Sequence, residues 1–323
     1  EEQNIRIPAK CLGQKNFDLL ASGQVSHLSV VEFGFDSESV QKGGSIRFCF
    51  PSVHLSEFTP EAPGSDTLGS SPLTLDVSNI TQGYFAAQSD SADLVTSLQI
   101  TAPTGVLYSY FIEPGENAVI PFTEGDGDYT VVGYQQIQGD QYAALYSETL
   151  TVELENEFLP FLYPNQYVNF SPDSEASKLA LSMVSEDTSD IDALKQIYNY
   201  VVNNLSYDYD KAETVETGYL PDVDETLSTK TGICFDYAAL TTAMLRSCDI
   251  PCKLQIGYTG DIKHAWIDVY IRSKGWVTNA VSFNGDSWSL MDPTFDSSAD
   301  SDDSEAIQDY IGNADNYTVQ FTR

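Results

Sequence analysis

The hydrophobic pattern of this chain changes its period once, near Pro172. Between about residues 75 and 158, segments such as LVTSLQIT and DYTVVGYQQI cluster or alternate apolar residues at strand length, and turn sequences such as EPGEN separate them. Beyond Pro172, apolar residues recur at three- and four-residue intervals, which is the period of a helix. The chain has 323 residues, more than one hydrophobic core usually organises. The sequence therefore predicts a multidomain protein with an all-β part followed by an α+β part.

Three zones follow from this pattern. Residues 1–74 contain a possible short strand, SIRFCF at 45–50, and a stretch at 58–72 whose Pro, Gly and Ser residues predict a linker or an exposed excursion. Residues 75–158 have the strand lengths and turn spacing of a β-sandwich, for which an immunoglobulin-like module is the simplest fit. Residues 172–323 form the α+β domain.

Within that domain the pattern predicts helices over 174–185 and 191–204, the second capped by Ser189 or Asp190. The polar stretch at 206–232 is too long for a simple connection, so we expect it to be functional or to lie over the domain. An apolar helix then runs from Cys234 to Ile250-Pro251. The segments CKLQIGY, HAWIDVYI, GWVTNAVSF and SWSLM that follow are extended and predict an antiparallel sheet.

The charge balance excludes one class of partner. The chain carries 15 Lys and Arg against 48 Asp and Glu, a formal net charge of -33. Nucleic acid is not an expected partner, because phosphate binding requires a cationic surface. No run of 18 apolar residues occurs, so no transmembrane span is predicted. The start at Glu1 fits either a cytosolic protein or one whose signal peptide has been removed.

Five cysteines are too few for a disulfide scaffold. Cys11 could pair with Cys49, and Cys248 with Cys252, which would leave Cys234 as the odd thiol. All five could equally be reduced, since buried cysteine behaves as a small hydrophobic residue.

A thiol, an imidazole and a carboxylate follow one another in the second half of the chain. Cys234 begins the apolar helix, and His264 and Asp292 follow at strand-like positions. A helix N-terminus beside an imidazole favours the thiolate, which is the reactive form of cysteine. A carboxylate on the far nitrogen would orient the ring. Asp268 is a poorer third member, because four strand residues separate it from His264 by about 13 Å.

Signals for a metal are weak. His27 and His54 lie in the first half and are expected to be structural, and no His/Cys cluster predicts zinc. The acidic runs EGDGD (124–128) and SSADSDDSE (297–305) could collect calcium, but neither has the EF-hand spacing. We expect a hairpin turn at the first and a solvated loop at the second, and no cofactor.

The run GICFDYAALTTAMLRSCDIPCKLQIGYTG, then HAWIDVYI with GW shortly after, then MDPTFD, resembles the core of the transglutaminase-like superfamily. The resemblance covers roughly residues 172–323 and implies a papain-like fold. It also implies that Cys234, His264 and Asp292 are the catalytic triad. Tyr207 resembles a position near the site where the family often has an aromatic or amide side chain. Trp266, on the strand face of His264, is the other candidate for oxyanion or substrate binding.

The implied reaction is acyl transfer through a Cys234 thioester on protein or peptide amides, ending in crosslinking or deamidation. A cysteine peptidase or amidase would use the same triad, and a catalytically idle surface binding or adhesion protein is the alternative from another class. Bacterial proteins with an immunoglobulin-like module before such a core are commonly exported, so we expect an extracellular or cell-envelope location. The sequence leaves the substrate and the oligomeric state open.

Overall fold

The computed structural model describes residues 59–185, 187–216, 218–283, 288–290 and 317–323, with side chains outside 279–283 and 288–290. Several predicted features lie outside these residues: the short strand at 45–50, Cys11, Cys49, His27, His54, Asp292 and the acidic run at 297–305. No helix in the described ranges has the length and apolar character needed to cross a membrane.

The front region, residues 59–158, is built from antiparallel strands. Their bounds are β1 Thr67–Ser70, β2 Leu73–Asp76, β3 Tyr84–Ser89, β4 Thr96–Thr101, β5 Leu107–Ile112, β6 Asn117–Pro121, β7 Gly127–Gln138 and β8 Gln141–Val152. One four-stranded sheet has the order β1-β2-β3-β6 and the other the order β5-β4-β7-β8. The region is therefore β-rich, as its pattern predicts.

The two sheets bury alternate residues of their strands in one shared hydrophobic cluster. Leu73 and Leu75 of β2, Phe85 of β3 and Leu98 of β4 are each fully buried. Because strand side chains alternate between faces, every second residue points to the same side of a sheet. The apolar alternation in the sequence is thus the inner face of each sheet.

Two segments of this region differ from what their composition predicts. Part of the expected linker at 58–72 is strand β1, which pairs with β2 in register from Thr67–Asp76 to Ser70–Leu73. The turn EGDGD does not close a hairpin, because β6 pairs with β3 while β7 pairs with β4 and β8. It carries the chain from one sheet to the other. Its carboxylates accept hydrogen bonds, as at Asp126 Oδ1 from the Leu154 N–H at 2.8 Å.

A tyrosine holds the corner that follows this crossover. Tyr129, near the start of β7, donates its hydroxyl to the carbonyl of Gly125 at 2.9 Å and accepts the Glu124 N–H at 3.2 Å. The ring is almost fully buried. The side chain therefore closes the turn from which β7 starts.

The C-terminal region, residues 159–323, contains helices and a five-stranded sheet. The helices are α1 Glu175–Met183, α2 Asp190–Asn204, α3 Tyr209–Thr214, α4 Val223–Thr229 and α5 Cys234–Ser247. The strands are β9 Ser206–Tyr207, β10 Thr231–Gly232, β11 Cys252–Thr259, β12 Ile262–Ile271, β13 Gly275–Phe283, β14 Trp288–Leu290 and β15 Tyr317–Thr322. The sheet order is β14-β13-β12-β11-β15, and β9 pairs with β10.

Helix α5 is the centre of this region. It packs against α1, α2 and α4 and against β11 and β12, and nearly all of its residues are buried. On β12, Ala265, Ile267 and Val269 join the same core cluster, as strand alternation predicts. The helix therefore rests on the face of the sheet that carries these three side chains.

The boundaries of α1 and α2 follow the sequence signals closely, whereas α5 ends early. The Ser189 hydroxyl accepts the Asp192 N–H at 3.1 Å and caps α2, one of the two predicted caps. Helix α5 ends at Ser247, three residues before the predicted end. Asp249, just beyond it, has a φ of 59° and turns the chain in the left-handed conformation usually taken by glycine.

The end of α5 is tied to three other segments by a buried arginine. Arg246 is 1% exposed and donates to the carbonyls of Cys252 at 3.0 and 2.8 Å, Tyr163 at 2.7 Å and Arg323 at 2.9 Å. Burial lowers the pKa of Arg246 to about 10, so the side chain is still a cation at neutral pH. These bonds fix α5 against β11 and against the chain after β15.

Strand β15 also joins the C-terminal sheet to the front region. The Thr322 carbonyl accepts the Thr123 hydroxyl at 2.9 Å, and the rings of Tyr108 and Phe321 lie 5.6 Å apart. The Arg323 guanidinium lies over the rings of Tyr108 and Tyr167, at 4.8 and 4.0 Å from their centroids. The two regions are thus in direct contact.

Candidate active site

Cys234 is the first residue of α5, and its position is set by close packing just before it. Ile233, the N-cap, is extended, and its N–H donates to the Asp236 carboxylate at 2.8 Å. A Cβ on Gly232 would lie 2.7 Å from the Asp236 Cβ. Glycine is therefore required here for space, because the chain passes over the side chain that holds the first helical turn.

The thiol of Cys234 lies in a buried, donor-rich setting. Burial raises its pKa, and the negative charge of Asp236 acts in the same direction. Hydrogen bonds from the N–H groups of Ala265 and Phe235 and from the Tyr207 hydroxyl lower it, but burial outweighs them. The resting group is therefore a thiol surrounded by donors that would stabilise a thiolate.

Tyr207 is brought to the thiol by a short parallel ladder. Strand β9 pairs with β10 so that Tyr207 lies beside Gly232, two residues before the cysteine. The Asp208 N–H donates to the Gly232 carbonyl at 2.9 Å and fixes this register. The hydroxyl of Tyr207 interacts with both the N–H and the thiol of Cys234, and burial raises its pKa to about 12. The phenol is therefore neutral at physiological pH.

His264 lies on β12 directly opposite Gly257 of β11. It is 7% exposed, and its ring stacks on that of Trp266 with centroids 6.2 Å apart and an interplanar angle of 18°. Burial lowers the pKa of His264 to about 4, so the imidazole is neutral at pH 7. The N–H of Ala265, the residue after His264, interacts with the Cys234 thiol and lowers its pKa.

The remaining predicted site residues have different surroundings. Trp266 is 1% exposed and also packs on Tyr317, at 5.1 Å between centroids, which favours a packing role beside His264 over contact with a substrate. The Asp268 carboxylate accepts a hydrogen bond from the Gln255 amide at 2.8 Å. Asp292 lies outside the described residues, so its place in the triad stays a prediction.

Sequence reasoning missed three groups that support the start of α5. Asp236 is fully buried, and the Lys211 ammonium binds its carboxylate at 2.8 Å while the Tyr219 hydroxyl donates to its other oxygen. Both partners come from the polar stretch at 206–232. The available signal was the acidic residue at the third helical position, which is where a carboxylate bonds back to the N-cap amide.

Other chemistry is limited within the described residues. Cys234, Cys248 and Cys252 are free thiols, so the predicted alternative of a Cys248–Cys252 disulfide is not formed. No group of three or more His, Cys, Asp or Glu side chains in the described ranges is arranged to hold a metal ion.

Comparison with known proteins agrees with this architecture. Residues 177–293 match the model of the transglutaminase-like superfamily, the transglutaminase core. These residues form a transglutaminase-like domain. The matched range contains α5 and strands β11 to β14, and it therefore includes Cys234 and His264. The transglutaminase-like domain accounts for the mixed helix and sheet content of the C-terminal region.

Two curated relatives match parts of the chain. A UPF0252 protein of Methanocaldococcus jannaschii is 40% identical over 62 residues, which is 18% of this chain and 18% of that protein. YebA of Bacillus subtilis is 24% identical over 183 residues, 50% of this chain and 25% of YebA. The chain thus spans a quarter or less of these relatives.

Two solved structures show weak overall similarity. A candidate cysteine protease from Cytophaga hutchinsonii is 15% identical, with a TM-score of 0.35 over 74% of this chain and 83% of that chain. Red sea bream transglutaminase is 12% identical, with a TM-score of 0.29 over 63% of this chain and 49% of that chain.

Proposed function

We propose that the transglutaminase-like domain catalyses thiol-dependent acyl transfer on protein or peptide amides. The Cys234 sulfur attacks the carbonyl carbon of a glutamine carboxamide or peptide amide, and His264 takes up the thiol proton. The C–N bond then breaks, and the imidazolium gives its proton to the departing amine, leaving a thioester. An amine or a water molecule resolves the thioester, and Asp292 orients His264 throughout.

The donor arrangement around the thiol is the observation that carries this proposal. The Tyr207 hydroxyl interacts with both the N–H and the thiol of Cys234. The β9–β10 ladder holds the two chain segments that carry these groups in register. When the carbonyl carbon becomes tetrahedral, its oxygen gains negative charge, and fixed donors at that position lower the barrier. We assign the Tyr207 hydroxyl and the Cys234 N–H as the two donors that bind this oxyanion.

The resting protonation states suit such a reaction. Burial keeps the Cys234 thiol protonated and lowers the pKa of His264 to about 4, so the imidazole has a free lone pair at neutral pH. A neutral base can accept the thiol proton as the sulfur attacks. The charged pair then exists only while a substrate covers the site, with Tyr207 and the surrounding N–H groups stabilising it.

The test offers the protein an acyl donor and a visible amine. N,N-dimethylcasein supplies glutamine carboxamides, and its blocked lysines leave dansylcadaverine as the amine, so fluorescence in the casein band reports transfer. Cys234→Ser should abolish labelling. Cys248→Ser is the matched control, because Cys248 is another free, partly buried thiol at the far end of the same helix, and it should label like the wild type.

The outcome separates the candidate functions. Ammonia release or new peptide termini without label, lost in Cys234→Ser, would indicate the peptidase or amidase alternative, in which water resolves the same thioester. Neither label nor hydrolysis, with Cys234 alkylated no faster by iodoacetamide than Cys248, would contradict the enzymatic proposal. The surface binding protein would then be the better hypothesis.

We also propose that the front region is an immunoglobulin-like sandwich. The strand orders β1-β2-β3-β6 and β5-β4-β7-β8 support this. The chain crosses from one sheet to the other between β6 and β7, and the hairpins β1–β2 and β7–β8 lie at outer edges of the two sheets. Tyr129 supports it as well, since a tyrosine at the start of this strand that bonds back to the preceding corner is a feature of such sandwiches. A cell-envelope location remains a prediction.

A further inference from the structure

A buried carboxylate stands two residues after the proposed nucleophile. Asp236 is 0% exposed, and its Oδ2 accepts both the Ile233 N–H and the Lys211 ammonium at 2.8 Å. The Tyr219 hydroxyl donates to Oδ1. A buried carboxylate with one cation and two further donors is compensated, whereas removal of the cation would leave its charge unbalanced.

Lys211 reaches this carboxylate from α3, a separate element of the chain. Its ammonium also donates to the Tyr219 hydroxyl at 2.7 Å and lies 4.4 Å from the centroid of that ring. Burial would lower the pKa of Lys211, but the bonds to Asp236 and Tyr219 raise it overall, so it is a cation at neutral pH. Burial also raises the pKa of Tyr219 to about 12, which keeps that hydroxyl a donor.

The charge of Asp236 opposes the ionisation of Cys234. The carboxylate raises the pKa of the thiol, while the Tyr207 hydroxyl and the N–H groups of Phe235 and Ala265 lower it. Tyr237, on α5, is a further titratable group that interacts with Asp236 and with Tyr207. A cation paired with the carboxylate cancels most of the repulsion, because a thiolate then faces an ion pair instead of a single negative charge.

We propose that Lys211 is a positioning residue for the nucleophile, which neutralises Asp236 and so allows the Cys234 thiolate to form when a substrate binds. This role rests on the proposed thiol chemistry and adds to it a partner from outside the triad. A structural role alone would have Lys211 hold α3 against α5 without effect on the thiol.

The two roles differ in the sign of their effects on thiol ionisation. In Lys211→Met the Ile233 N–H and the Tyr219 hydroxyl still hold the carboxylate and its charge, so the thiolate is disfavoured. In Asp236→Asn the amide oxygen can still accept the Ile233 N–H, while the Lys211 cation is left unpaired and favours the thiolate. A loss of packing alone would shift both variants in the same direction.

The experiment measures the rate of Cys234 alkylation by iodoacetamide against pH in the full chain, with peptide mapping to separate it from Cys248. Lys211→Met should raise the apparent pKa of the thiol by roughly one unit and slow alkylation about tenfold below it. Asp236→Asn should shift the profile by a similar amount in the opposite direction. Lys211→Arg and the double variant Lys211→Met/Asp236→Asn should lie close to the wild type.

Lys178→Met is the matched control. It removes a lysine from an exposed pair with Glu175, also at 2.8 Å, and should leave the profile unchanged. Equal profiles for wild type and Lys211→Met, or shifts of one sign in both single variants, would overturn the inference. If Lys211→Met does not fold, the sign of the Asp236→Asn shift decides. A wild-type Cys234 that alkylates no faster than Cys248 would instead refute the proposed function.

Discussion

Replacing Arg246 with methionine tests the arrangement that holds α5 in place. The substitution keeps an unbranched stem and removes the guanidinium that donates to the carbonyls of Cys252, Tyr163 and Arg323. These acceptors belong to β11, to the turn before α1 and to the residue after β15. The variant should therefore weaken the contact of α5 with three segments at once.

The magnitude follows from opposing contributions. Four hydrogen bonds from a charged donor contribute about 1.5–3 kcal/mol each. Against this, burial lowers the pKa of Arg246 to about 10, which corresponds to roughly 3 kcal/mol of desolvation cost that methionine avoids. Methionine also recovers some apolar burial. We expect a net loss of about 3–5 kcal/mol in the free energy of unfolding, a large part of the stability of an ordinary domain.

Urea denaturation followed by tryptophan fluorescence measures this loss. The three tryptophans of the chain, Trp266, Trp276 and Trp288, all lie in the C-terminal region, so the signal reports on that region alone. The midpoint should fall while the slope of the transition stays constant. Arg246→Lys, which keeps the charge but not the fork of donors, should lie between the wild type and Arg246→Met.

Arg272→Met is the matched control. Arg272 is half-exposed, and its ion pairs with Asp190 and Asp249 are long, at 3.5 and 3.7 Å. Its removal should cost no more than about 1 kcal/mol. If Arg246→Met is no more destabilised than this control, the buried guanidinium does not hold the helix in the way described.

Four further predictions concern single residues. His264→Asn should remove an acid sensitivity of the wild type. The pKa of His264 is about 4 in the folded state and near 6.5 in the unfolded state, so the wild type loses up to about 3 kcal/mol of unfolding free energy as pH falls from 6.5 to 4. In urea titrations, the difference in unfolding free energy between wild type and variant should change by about that amount over this pH range. Tyr207→Phe should lower kcat for amine incorporation about 100-fold with little change in KM, and an unchanged kcat would exclude the oxyanion role. Gly257→Ala should cost about 2–3 kcal/mol by fluorescence-detected unfolding, because the new Cβ would lie 1.9 Å from the Thr318 oxygen and β15 must move. Tyr129→Phe should lower the stability of the front region by about 1–2 kcal/mol in calorimetry, and a wild-type transition would show that the corner bond is not needed.

The periodic parts of the fold were predictable because their burial is one-sided. Alternation predicted β4, β5 and β7, and the three- and four-residue spacing predicted α1 and α2 within a residue or two at most ends. Strand β1 was missed because its residues, Thr-Leu-Gly-Ser, are mostly exposed at a sheet edge and carry no alternation. Only the pairing with β2 makes this segment a strand, and pairing is not visible in local sequence.

The crossover at EGDGD was misread for a related reason. Its glycines and carboxylates indicate a turn but do not specify which sheet receives the next strand. The end of α5 was misplaced because Asp249 takes a left-handed conformation that a non-glycine residue seldom adopts. In both cases the local signal was correct, and the tertiary partner decided the outcome.

The candidate site divides in the same way. Cys234 and His264 could be named from sequence because their order and neighbours match a family pattern, and Tyr207 because it resembles a position in that pattern. Lys211 and Tyr219 could not, since they lie in a stretch whose composition suggests only a polar surface. Their role depends on a contact with Asp236 across 25 and 17 residues of chain.

The contacts that β15 and Arg323 make with the front region limit how this protein can be divided into fragments. A fragment cut between the two regions would expose the Tyr108 and Phe321 rings and would remove Tyr108 from the Arg323 guanidinium. The fragment would expose an apolar aromatic patch, which favours aggregation during expression. A fusion of the transglutaminase-like domain to another protein would therefore need to keep the front region or replace the exposed aromatic residues of that surface.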